Sequence, residues 1–306
     1  MAKTQNIYEL DEVLSPEAKD SLKHLELYAR RKVDGILHGI HASRRIGVST
    51  DFDHHKEYQA GDPLKHMDWK VSARQERYYV KRFIEDSSLT VRLVVDRSAS
   101  MLQSTDGPSK YLQACRMAAC LGYLILKEKD SAGLVLAAED ETLWLPAKSS
   151  STHLVTILQN LVAKDAAAPD GLQPCLKAIL DRAERKGLIV VISDLMFDPD
   201  PVQRELARLQ AYGHEVLILQ LRDETEEEFP FNRWIEFGDL ENAATRHRLD
   251  AIPLKKIYRE EYQALIGDWK TWSKKYNAHF VSALTSEHIE TALSEYLVWR
   301  HRGHQE

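Results

Sequence analysis

Three apolar runs limit what this chain can fold into. VRLVV at 91–95, LIVVI at 188–192 and VLILQL at 216–221 carry Val, Ile or Leu at nearly every position, not at every second one. Strands written this way are buried on both faces, as in a parallel sheet covered by helices on both sides. Helical patterns stand between and after them, at Lys110–Glu128, Ser151–Ala163, Leu172–Lys186 (with Gly187 as its expected C-cap), Pro201–Tyr212 (closed by Gly213), Pro253–Tyr276 and Glu287–Arg300. Ser131–Ala138 and Glu141–Pro146 read as a hairpin with Glu139-Asp140 at its turn, and His279–Leu284 as a last strand. The pattern predicts an α/β fold, a doubly wound and mostly parallel sheet with helices on both faces.

Residues 15–38 open with a Ser-Pro helix start and continue with helical apolar spacing. Residues 39–88 are polar and aromatic, with a turn at Ala60-Gly61-Asp62-Pro63 and short extended pieces such as RYYVKRFI. The expected division is an N-terminal appendage over 1–88, helix followed by strand-containing segment, and the α/β domain over 89–306. With 306 residues and a net charge of −6, the chain lacks the strongly basic face that a nucleic-acid backbone would require. Cys115, Cys120 and Cys175 form no C-x-x-C pair, the N-terminus has no apolar leader, and no apolar run is long enough to cross a bilayer. A cytoplasmic protein without a membrane span is the expectation.

The first strand ends in a chemically loaded turn, VRLVVDRSASM at 91–101. In doubly wound sheets ligands bind beyond the carboxyl ends of the strands. Asp96 stands at such an end, and so does Asp194 in VVISDL. Two aspartates with the hydroxyls of Ser98 and Ser100 offer only hard oxygen donors, a set suited to Mg²⁺ or Mn²⁺ and poorly suited to zinc. The D-x-S-x-S turn followed by a later strand-end aspartate resembles the metal-ion-dependent adhesion site of von Willebrand factor A domains. That resemblance implies a cation held by Asp96, Ser98, Ser100 and Asp194, with a threonine from a further loop. The matching stretch here, DGLQPCL, places Asp170 where the threonine is expected. The extra carboxylate either strengthens cation binding or marks a pocket that works differently.

A second signature, EYQAGDPLKHMDWKVSARQERYYVKRF at 57–83, resembles bacterial domain-of-unknown-function family fifty-eight. Its members carry a von Willebrand A-like domain and are typically encoded beside MoxR-type AAA+ ATPases. The likeness extends through ISDL at 192–195, RDETEEEFPF at 222–231 and YLVWR at 296–300. It implies a chaperone-like adaptor that works with the ATPase on protein clients, in complex maturation or metal insertion. Within the signature, Asp62 and Asp68 are placed to pair with Arg74, Lys81 or Arg82 while Trp69 packs under the turn; alternatively Lys70, Arg74 and Lys81 form a docking face for an acidic partner. The acidic run DETEEE at 223–228 reads as a solvated loop that could share a rim with Asp96.

No G-x-x-x-x-G-K-[ST], H-E-x-x-H or G-x-S-x-G motif occurs, and neither serine has a motif-linked histidine, so nucleotide binding and enzymatic activity are not expected. The alternatives kept open are a Mg²⁺- or Mn²⁺-dependent phosphoesterase built on Asp96, Asp170 and Asp194, and a binding module whose metal site is vestigial.

Overall fold

The computed structural model of the chain describes residues 23–34, 52–58, 67–75, 77–83, 89–104, 107–137, 142–163, 171–182, 185–231, 234–238 and 246–286, with 289, 293, 294, 296 and 297 beyond them. The chain divides into two compact units, Leu37–Ser88 and a larger one made of Met1–Ile36 with Leu89–Glu306.

In the smaller unit β1 (Phe52–Glu57) pairs antiparallel with β2 (Tyr79–Phe83). A short helix, Trp69–Gln75, precedes β2 and is tied to it by Ser72, whose Oγ accepts from Tyr79 N at 2.9 Å. The larger unit holds β3 (Thr90–Asp96), β4 (Ser131–Ala137), β5 (Leu143–Lys148), β6 (Leu188–Ser193), β7 (Glu215–Arg222), the β8–β9 hairpin (Trp234–Gly238 and Arg246–Asp250) and β10 (His279–Leu284). Six of these form one sheet in the order β10-β7-β6-β3-β4-β5. All its pairings are parallel except β4 with β5. This is the doubly wound α/β arrangement expected from the sequence, with the antiparallel strand on an edge.

The reason the strands read as continuous apolar runs is visible in their packing. Val94, Val135, Ile189, Val191, Val216 and Ile218 share one core cluster with side chains of the Leu172–Asp181, Pro199–Ala211 and Ala251–Lys275 helices. Trp269, fully buried, is the largest of them. On β3 the intervening Leu93 touches the ground around Gly122, where Leu154 and Ile157 of the His153–Ala163 helix also meet the Lys110–Lys127 helix. Helices therefore cover both faces.

Two boundaries differ from the sequence reading. The helix over 23–34 belongs to the larger unit, so the expected appendage is shorter than 1–88. Its Asp34 accepts from Lys127 Nζ at 2.7 Å and from Tyr123 Oη at 3.3 Å, and Leu25, Ala29 and Val33, spaced by four, are buried. The helix after residue 171 ends at Asp181, and Gly187 is no C-cap: it lies against the carbonyl of Thr90 at the start of β6. By contrast Gly213, at φ +90°, does close the Pro199–Ala211 helix. Most of the expected helix at Glu287–Arg300 and the 138–141 turn fall outside the described residues.

The buried His153 at the start of its helix yields a pH prediction. Burial, and then the charge of Lys148, push its pKa below the ordinary histidine range, against opposing hydrogen bonds to the backbone at Ala132 and Pro146. Below about pH 6.5 the unfolded chain takes up a proton that the folded chain refuses. Stability should therefore fall with acidification from that point, by at most about 1.4 kcal/mol per pH unit for this one group. Urea unfolding between neutral and mildly acid pH checks it; H153Q should remove that component of the slope.

Candidate functional site

The strand order reverses between β3 and β6: β3 leads by way of its helix to β4 on one side, and β6 leads to β7 on the other. A crevice beyond the carboxyl ends of those two strands is where this architecture places ligands. Asp96 ends β3 and Asp194 follows β6, so the topology brings together two acids that lie 98 positions apart in sequence.

Asp96 is fully buried and both of its oxygens are engaged. Oδ1 accepts from the backbone N–H of Ser98 at 2.8 Å, which shapes the D-x-S turn, and Oδ2 accepts from Ser193 Oγ at 2.6 Å. Ser193 also accepts from Leu195 N at 3.0 Å, so one hydroxyl links the end of β3 to the turn after β6. Past Ser98 the chain enters a short 3₁₀ turn, Ala99–Leu102, and the Ser98 and Ser100 hydroxyls lie 3.0 Å apart. Ser98 is buried and Ser100 half-buried.

Asp194 is turned by an unusual backbone. Leu195, a fully buried residue, takes φ +60°, the left-handed region that costs a branched side chain about 1–2 kcal/mol. Such strain persists where neighbouring contacts hold it. Here they are the Ser193 bond to Leu195 N and a 3.2 Å bond from Met196 N to Asp194 Oδ1. The other oxygen, Oδ2, receives Lys110 Nζ at 2.6 Å.

Lys110 is the group the sequence reading missed. It opens the Lys110–Lys127 helix behind the N-cap Ser109, and its side chain is wholly inaccessible. Its ammonium donates to Asp194 and also to Glu226 Oε1. Burial pulls the lysine pKa down, and the charges of Asp194 and then Glu226 more than reverse that, so the ammonium is held above its ordinary range. Glu226 comes from the acidic run. That run is a helix, Glu224–Glu228, whose capping box directs Glu226 inward: Asp223 N donates to Oε2 at 3.1 Å while Asp223 Oδ1 accepts from Thr225 N at 2.9 Å. Asp223, Thr225 and Glu226 are all buried, so the expected solvated loop is in fact folded onto the rim. Tyr258, pushed up to about 12 by burial and by the charges of Glu226 and Asp194, lies within reach of the same field.

Two sequence signals pointed here. A lysine in the first turn of a helix opposes the helix dipole and needs an anion nearby. An Asp-x-x-Glu directly after an apolar strand is a capping-box pattern.

Asp170 and Asp62 lie outside the described residues. In the smaller unit Asp68 serves as a helix cap, Oδ1 accepting from Lys70 N at 3.1 Å and Val71 N at 3.2 Å. Trp69 does not pack under a turn: it is 64% exposed, beside exposed Lys70 and Arg74. Lys81 sits on β2 opposite His55, and its side chain is outside the described set.

The family described as "Protein of unknown function DUF58" matches residues 54–270. The chain belongs to the DUF58 family. One relative, an uncharacterized protein of Mycobacterium tuberculosis (strain ATCC 25618 / H37Rv), is 32% identical over 235 residues, 76% of this chain and 73% of its own length. Among solved structures, the conserved hypothetical protein BatB from Bacteroides thetaiotaomicron shares 17% identity at a TM-score of 0.46, over 70% of this chain and 99% of that one. An aerotolerance-related membrane protein from Bacteroides fragilis NCTC 9343 shares 15% at 0.47, over 68% and 96%. At these scores the von Willebrand A-like fold of this DUF58 chain rests on its own strand order and D-x-S-x-S turn. No helix among its described residues is long and apolar enough to cross a membrane.

The described members of the expected donor set, Asp96, Ser98, Ser100 and Asp194, do not fit the divalent cation expected of them. Among the described residues no three His, Cys, Asp or Glu side chains are grouped to hold a metal ion. Oδ2 of Asp194 is held by an ammonium, and both oxygens of Asp96 by protein donors.

Proposed function

We propose that this DUF58 chain is a non-enzymatic protein-binding module that works in the cytoplasm with a MoxR-type AAA+ ATPase on protein clients, in chaperone-like maturation or metal insertion. The observation behind the binding reading is the Ser98–Ser100 hydroxyl pair, set at the switch point over acids that are already fixed. Hydroxyls bonded to each other and not to a base are suited to hydrogen-bond a partner and poorly suited to attack a substrate. The phosphoesterase alternative needs Asp194 as a metal ligand, and Lys110 occupies that oxygen. For the ATPase, the support is the resemblance carried by the 57–83 segment.

Immobilised full-length chain should capture a MoxR-type AAA+ ATPase, and S98A/S100A should weaken capture by about tenfold, the worth of one or two hydrogen bonds. Melting should fall only slightly, because the lost hydroxyl–hydroxyl bond is worth about 0.5–1.5 kcal/mol and Asp96 keeps its bond from the Ser98 backbone N–H. Undiminished capture by a folded S98A/S100A would sink the rim as the docking surface. A second reading, docking through the smaller unit with the rim vestigial, is favoured by the exposure of Trp69 next to Lys70 and Arg74. It predicts that W69A/K70A/R74A abolishes capture where S98A/S100A does not.

A further inference from the structure

A doubly wound sheet that ends two adjacent strands in buried aspartates must supply positive charge at that point, since unpaired buried carboxylates are strongly destabilising. In this chain the charge is covalently attached. Lys110 projects from the first position of its helix, past the Ser109 cap, to Asp194 Oδ2 at 2.6 Å and to Glu226. We infer that the Lys110 ammonium takes the place of a divalent metal ion, so that the rim recognises its partner without one. The recognition half of this inference rests on the binding reading above.

Three features of the geometry argue for it together. The ammonium is inaccessible, so a metal taking Asp194 Oδ2 would have to drive a buried cation off its carboxylate. Glu226 needs no metal to point inward, because its second oxygen is fixed by the Asp223 N–H of its own capping box. Asp96, the first residue of the adhesion-like motif, already has each oxygen within 2.8 Å of a protein donor. A lysine also differs from Mg²⁺ in what it permits: three directed N–H donors with no open coordination position for a partner's carboxylate. Contact at the rim then falls to the serine hydroxyls, with the acids and Lys110 as their fixed support.

The test uses full-length chain stripped with EDTA and titrated with Mn²⁺ alone, followed by electron paramagnetic resonance of the free ion and by thermal melting. Wild type should show no saturable binding up to about 1 mM and no rise in melting temperature, the shift that any ligand of the folded state would produce. K110A should acquire Mn²⁺ binding and be stabilised by it, and K110A/D194N should lose that binding. K110M, which keeps the packing of the lysine stem, should likewise acquire Mn²⁺ binding and covers the case in which K110A does not fold. Saturable Mn²⁺ binding by wild type at micromolar concentration overturns the inference, including when Asp170 supplies the missing ligand. A folded K110A that binds no Mn²⁺ overturns the claim that the lysine stands in for an ion. Capture of the ATPase separates the two proposals. Capture that survives EDTA supports both, and capture abolished by EDTA overturns the metal-free rim while leaving the binding module standing. If nothing is captured under either condition, the functional reading falls, and the Mn²⁺ titration still decides the nature of the site.

Discussion

Lys110→Met is expected to lower the stability of the folded chain by about 3–5 kcal/mol, the range for removing one partner of a buried ion pair. Methionine keeps most of the length and apolar contact of the lysine stem, so the loss reports on charge and not on a cavity. What remains is two buried carboxylates, Asp194 and Glu226, sharing one space without a counter-ion. Urea unfolding at neutral pH, followed by circular dichroism, measures the difference. Neutralising the acids as well, in K110M/D194N/E226Q, should recover much of the loss, because the desolvation of two charges disappears together with their attraction to the lysine. The pH dependence has a definite sign. The folded-state pKa of Lys110 is raised, so its contribution is complete below the ordinary lysine range and is lost only as pH rises through the folded value. The lysine's contribution to wild-type stability should thus hold across neutral pH and be lost in strong alkali. A K110M loss below about 1 kcal/mol, no more than an exposed ion pair is worth, would mean that the acids have another counter-charge.

How far the sequence discloses this site depends on the kind of signal each residue leaves. The sheet was legible because a strand buried on both faces must be apolar at nearly every position, and β3, β6 and β7 are. Asp96 and Asp194 were legible because they interrupt those runs at the end where ligands bind. Lys110 and Glu226 left only local signals, an ill-placed charge in a first helical turn and a capping box inside an acidic run. Their meaning arises from proximity across 116 positions, which no local pattern encodes. Solvation was the weaker inference throughout. DETEEE reads as exposed because six polar residues in a row usually are, yet three of them are buried once β7 delivers them to the rim. Trp69 reads as buried because tryptophan usually is, and it is exposed. The left-handed Leu195 left no trace at all, since nothing in ISDL distinguishes a strained leucine from an ordinary one.

The second large effect lies at the opposite end of the same two strands. Gly187 precedes β6, and a Cβ built on it would sit 2.0 Å from the carbonyl oxygen of Thr90 and 2.9 Å from its carbon, both backbone atoms. Gly187 cannot retreat on its own, because its carbonyl accepts from Glu215 N at 3.0 Å and so ties it to β7. Alanine there must prise β3 from β6 where Val91 faces Leu188, the first rung of the ladder that sets the relative height of Asp96 and Asp194. Ordinary overpacking costs about 1–3 kcal/mol, with side chains able to give way. Here the obstacle is backbone in a central pair, and G187A should cost about 3 kcal/mol or more in urea unfolding. The site itself lies about five residues along the strands, roughly 16 Å away, so the fraction that folds should capture its partner as wild type does. Gly267 supplies the opposite case within the same chain. It lies inside the Ala251–Lys275 helix with nothing within 4 Å of a built Cβ, and G267A should stabilise by about 0.5–1 kcal/mol through helix propensity alone. One substitution with opposite signs at two glycines isolates steric approach from backbone freedom. If G187A unfolds at the wild-type urea concentration, the close approach of β6 to Thr90, and with it the register that aligns the two aspartates, is wrong.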